Sequence, residues 1–185
     1  MLGWPPLSSN VRIIEMKSRA RSIFGNAQLY DRAAHLLNAA GSSDPAMLLP
    51  STVNAALSLE LYFKSLYILD HGIEFKVNGK HSHHFAMLFE ELKEPTKQQL
   101  LAQFKTALAA MDAKYIPSVE SSLQMVVPKD LKTNLVQWAN VFVDLRYAHE
   151  FVEKNKGKQK TMMFFPQIRD SVYNTIVERE STWKS

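Results

Sequence analysis

Apolar positions recur at steps of three and four residues along most of the chain, the period of one face of an α-helix. From Arg19 to Ala40 the stripe is Ile23, Phe24, Ala27, Tyr30, Ala34 and Leu37, and Gly41 stands where a helix would close in the left-handed conformation. Ser42 to Pro50 is polar and proline-bearing, a connector. Ser51 is a suitable N-cap for a second helix running to Asp70. That helix is apolar on most sides through Val53, Ala56, Leu57, Leu59, Leu61, Phe63, Leu66 and Leu69, which places it at the centre of a bundle.

Between Gly72 and Lys80 the period changes. Ile73, Phe75 and Val77 alternate with polar residues and Asn78-Gly79 is a tight-turn dipeptide, so a short hairpin or extended loop is expected over 73–80. A short helix follows from His83 to Leu92 and ends before Pro95. Thr96 with Gln99 has the spacing of a capping box for a fourth helix, striped by Leu101, Phe104, Leu108, Met111 and Tyr115 and ended by Pro117. Ser118 to Asp130 reads as a short helical piece broken at Pro128. Leu131, Leu135, Trp138, Phe142, Leu145 and His149 then mark a helix from Asp130 to Glu150, and Pro166 suits the first position of a last one. The expected fold is all-α, a bundle of about five main helices in one domain spanning 1–185, with no internal repeat.

Composition agrees with one well-filled core. Of 185 residues, 46% are hydrophobic and 22% charged, ordinary globular usage. Zero cysteines exclude disulfides, thiolate metal sites and cysteine nucleophiles, and fit a reducing compartment. The opening Met1-Leu-Gly-Trp-Pro-Pro does not resemble a secretory signal and no apolar run is long enough to span a bilayer, so a cytoplasmic protein without membrane attachment is expected. A net charge of +4 makes a polyanion partner more plausible without selecting it.

Two segments carry a family resemblance. Asn54-Ala-Ala-Leu-Ser-Leu-Glu-Leu-Tyr-Phe-Lys-Ser-Leu resembles the HEPN helix in which a Glu and a Lys one turn apart punctuate an apolar run. His83-His-Phe-Ala-Met-Leu-Phe-Glu-Glu-Leu92 is similar to the next helix of that family, which commonly opens His-Asp-Leu. The order of helices, through a late one ending Leu145-Arg-Tyr-Ala-His-Glu150, matches the family plan from Arg19 to Glu180. The resemblance implies a helical fold and a homodimer that binds a partner protein, a nucleotide or RNA. His84 stands where the family often has Asp. Catalytic members carry an Arg followed four to six residues later by a His, whereas only two residues separate Arg146 from His149. A non-catalytic module is therefore the expectation, and a metal-independent ribonuclease using Arg146 and His149 is the alternative.

The candidate residues follow from this reading. Glu60 and Lys64 are one turn apart and suited to an ion pair, with a structural role favoured over lining a groove. Arg146 could hold a phosphate and His149 exchange a proton near neutral pH, but His149 also continues an apolar stripe and suits a hydrogen-bonded core position. Tyr147 between them joins Glu60, Lys64 and His83 as a candidate binding residue. His81, His83 and His84 could bind a transition metal only with a distant fourth ligand, and a role at a helix start is favoured, so no metal and no cofactor is expected. Lys154, Lys156, Lys158 and Lys160 read as a solvated loop rather than a phosphate grip. Phosphate-loop, dinucleotide, nucleophile-elbow and zinc-protease motifs are all lacking.

Overall fold

A computed structural model of the chain describes residues 9–78, 84–111, 113–124, 126–138 and 165–181. Among them lie seven α-helices and no strand. The two longest are α1 (Ser9–Ala40) and α2 (Leu48–His71), which pack against each other as an antiparallel pair. Their closeness has a cause in the sequence. Ala20, Ala27 and Ala34 recur every seven residues and are all buried, forming a row of small side chains that follows one face of α1. Buried serines on α2 bond across this row: the Ser51 hydroxyl donates to the Ala34 carbonyl at 2.8 Å and that of Ser65 to the Ala20 carbonyl at 2.9 Å.

Ser51 is thus an inter-helix clamp rather than an N-cap. α2 begins three residues earlier, at the end of a 3-10 turn (Pro45–Met47) whose start is capped by Asp44, its carboxylate accepting from the Ala46 amide at 3.0 Å. Gly41 also has a different role from the expected one. Its φ is not positive, but a Cβ there would meet Leu48 Cδ2 at 2.5 Å, so a side chain at this tight return would have to displace Leu48. The left-handed cap is Gly72, with φ 66°, closing α2.

Gly72 to Asn78 is irregular, with a single bridge residue at Val77; Phe75 is buried while Ile73 is exposed. Gly79, the second half of the expected turn, lies outside the described residues. α3 (Phe85–Glu90) starts one residue beyond His84, whose Nδ1 accepts from the Met87 amide at 3.3 Å. α4 (Glu94–Ala109) begins two residues before the expected cap, with Pro95 in its first turn. Thr96 therefore does not cap; it is buried and donates to Asp70 Oδ1 at 2.7 Å. Pro117 does not end a helix. The stripe through Tyr115 is shared between two helices, α4 ending at Ala109 and α5 (Tyr115–Leu123), and Pro117 sits in the first turn of α5, where its missing N–H has no intrahelical acceptor to lose.

α6 (Leu131–Trp138) is the described part of the expected 130–150 helix; α7 (Phe165–Ser181) has Pro166 in its first turn, as expected. Asp130 caps α6, its Oδ1 accepting from the Thr133 amide at 2.7 Å. Partial burial works against the Asp130 charge, but the bonds from Thr133 outweigh it and hold the carboxyl below its ordinary pKa. A depressed folded-state pKa gives stability that is present above the unfolded value and lost as pH falls through the folded one. Asp130→Ala should therefore cost about 1 kcal/mol at pH 7 and less below about pH 4, read by urea denaturation at both pH values.

Trp138 is buried in the core against Phe165, ring centroids 4.9 Å apart, so this residue serves packing and not an exposed interface. Phe142 lies outside the described residues. The core joins α1, α2, α3, α4, α6 and α7 around Leu59, Phe63, Leu66, Leu88, Leu100, Leu135 and Ile176. At the junction of α1, α2 and α7, Phe24, Tyr62 and Tyr173 meet with centroids 5.5 to 6.0 Å apart. No helix among the described residues is long and apolar enough to cross a membrane.

Candidate ligand-binding site between α1, α2 and α7

The Glu60–Lys64 pair forms as its spacing predicts, Lys64 Nζ lying 2.5 Å from Glu60 Oε1. Glu60 is buried and Lys64 is partly exposed, so the carboxylate is held in the interior while the lysine stem carries its charge toward water. His81, His83, Arg146, Tyr147, His149 and the lysines at 154, 156, 158 and 160 lie outside the described residues. Of the histidine cluster, His84 takes the helix-start position, and the described residues contain no group of three potential metal ligands.

A different set of polar residues converges beside the aromatic junction. On α1, Asp31, His35 and Asn38 fall at i, i+4 and i+7 and share one face. α7 brings Arg169 to this row, one turn after Pro166. With Ser51, Thr52 and Ala55 of α2, and Trp138 and Phe165, they line a cavity of about 230 Å³. Trp138, Ser51 and Ala55 form buried wall; His35 and Asn38 stand exposed at its rim.

The Arg169 guanidinium is the centre of the polar network and only 14% exposed. Its Nε and Nη2 donate to Asp170 Oδ1 at 2.8 and 2.7 Å, and its Nη1 donates to Asp31 Oδ1 at 3.2 Å and to His35 Nε2. Burial works against this charge, yet bonding and charge from Asp170 and Asp31 outweigh it and hold its pKa above the usual arginine value. His35 Nε2 also lies 3.7 Å from Asp31 Oδ1. An arginine N–H can only donate, so His35 Nε2 is the acceptor in its bond with Arg169. The Asp31 charge is felt at Tyr62, whose phenol is pushed well above its ordinary pKa by burial first and by Asp31 second.

A general base needs a free lone pair, and that of His35 is occupied by Arg169. A phosphate-gripping arginine needs a free fork, and four of the five N–H groups of Arg169 are committed to protein acceptors. What remains is a charge-balanced polar rim over an apolar and aromatic wall. His35 and Arg169 are 134 positions apart, so no local pattern in the sequence joins them. The available signal was the polar row Asp31, His35 and Asn38 running beside the apolar stripe of α1.

Comparison of the chain with known proteins finds no match among family models, curated proteins or solved structures.

Proposed function

We propose that the chain is a non-catalytic, HEPN-like helical module that acts in the cytoplasm as a homodimer and binds a partner protein, a nucleotide or RNA. The observation that carries the binding reading is the cavity between α1, α2 and α7, with its aromatic wall and its arginine and histidine bonded to each other. The reading also draws on the all-helical order and on Glu60, buried and paired with Lys64. Self-association is supported by apolar side chains that α1 presents to solvent. Ile14, Leu29 and Leu36 are each about two-thirds exposed, and Leu29 and Leu36 are seven residues apart on one stripe.

The purified chain is expected to scatter light as a dimer at micromolar concentration and to raise the anisotropy of a labelled single-stranded RNA while leaving it intact in the presence of a chelator. A monomer mass would remove the homodimer. Cleavage lost in Arg146→Ala or His149→Ala would replace the binding module by the ribonuclease reading.

A further inference from the structure

We propose that the cavity between α1, α2 and α7 receives a planar, uncharged, nitrogen-bearing aromatic ring of nucleobase size, and does not receive phosphate. This deepens the binding reading above and rests on it.

Size is the first argument. At about 230 Å³ the cavity lies below the roughly 300–1,000 Å³ of pockets that enclose drug-sized ligands, so it suits one ring system and not a whole nucleotide. Shape and surface are the second. The buried indole of Trp138 and the Phe165 ring, tilted 49° to each other, give an aromatic wall, with Ala34, Ala55 and Pro166 completing an apolar lining. A flat aromatic ligand gains contact along such a wall irrespective of its substituents.

Charge is the third argument, and it separates the ring from the phosphate. Among the described residues, the charged side chains lining the cavity are Asp31 and Arg169, which bond to each other, and Asp170 holds the far side of the same guanidinium. An incoming phosphate would find one spare N–H on Arg169 and meet Asp31 beside it. A neutral ring meets no such opposition. It finds donors and acceptors along the lining: the Asn38 amide, the His35 ring and the hydroxyl oxygen of Ser51, whose proton is directed to Ala34. A ring with both acceptor nitrogens and N–H groups on its edge can bond to these; a plain hydrocarbon ring cannot.

The test is calorimetric titration of the full chain with adenine and cytosine as free bases, with adenosine and adenosine 5′-monophosphate, and with inorganic phosphate. At least one base should bind at one site per chain, the monophosphate should bind within about twofold of the nucleoside, and phosphate alone should not compete. Thr52→Phe, which projects a ring into the cavity from its partly exposed rim, should weaken base binding at least about tenfold, and Asn38→Ala, at an exposed position, by several-fold, with melting temperatures retained. Failure of both bases to bind, a monophosphate about tenfold or more tighter than its nucleoside, or folded variants of both kinds binding like the parent would each overturn the proposal. If the bases fail while RNA still binds intact, the ring assignment falls and the binding module stands. If a base binds here while RNA is cleaved, the ring assignment stands and the non-catalytic reading falls.

Discussion

Asp70→Ala is expected to lower the unfolding free energy by about 3–5 kcal/mol, the cost of breaking a buried ion pair by removing one partner. Asp70 ends the last turn of α2 with its side chain only 1% exposed, and three elements depend on it. The backbone amide of Lys93 donates to Oδ2 at 2.9 Å, the Thr96 hydroxyl to Oδ1 at 2.7 Å, and Arg179 of α7 to the same Oδ1. Arg179 also donates to Thr96 Oγ1 at 2.8 Å. Alanine would leave an amide, a hydroxyl and a guanidinium without this acceptor where water has little access. For a chain of this length the loss corresponds to a fall in Tm of about 6–20 °C. Thermal unfolding followed by circular dichroism reads it, and a drop of less than about 2 °C would show that the three contacts are worth far less than buried pairs usually are. A double cycle with Arg179→Met would separate the ion pair from the two other bonds.

Arg169→Met is the second large effect and acts on both stability and binding. Methionine keeps most of the stem's volume but removes the charge held between Asp31 and Asp170, and Asp31 and Arg169 are partly buried, so the cost should be about 2 kcal/mol. The cavity then turns from charge-balanced to negative. Binding of single-stranded RNA should weaken by about tenfold, because the phosphates flanking an inserted ring would approach Asp31 without the guanidinium charge beside it. Arg169→Lys should restore it only in part, since an ammonium returns the charge but cannot hold Asp170, Asp31 and His35 from one planar fork. Unchanged RNA affinity in a folded Arg169→Met variant would place the RNA elsewhere on the surface.

The fold class was legible because the 3.6-residue period is written in large apolar residues, and burial of Phe24, Leu59, Phe63, Leu88, Phe104 and Leu135 follows that period. Boundaries were less legible where one residue could serve two purposes. Ser51 and Thr96 have the chemistry of caps, but their hydroxyls satisfy acceptors across a helix interface, and that choice depends on tertiary contacts a local pattern does not contain. Pro117 and Pro95 read as stops, yet proline is equally at home in a first turn. At the site, Glu60 with Lys64 was legible because both lie on one turn of one helix. His35 with Arg169 was not, because nothing short of the packing of α7 against α1 brings them together.

The most direct test of the binding account is an amide and imidazole nitrogen NMR titration of the chain with a short single-stranded RNA. The account predicts that the RNA stays intact and that the perturbed signals gather at Asp31, His35, Asn38, Thr52, Ala55, Arg169 and the Trp138 indole. Perturbations that avoid this cavity, or RNA signals that give way to those of cleavage products, would contradict it.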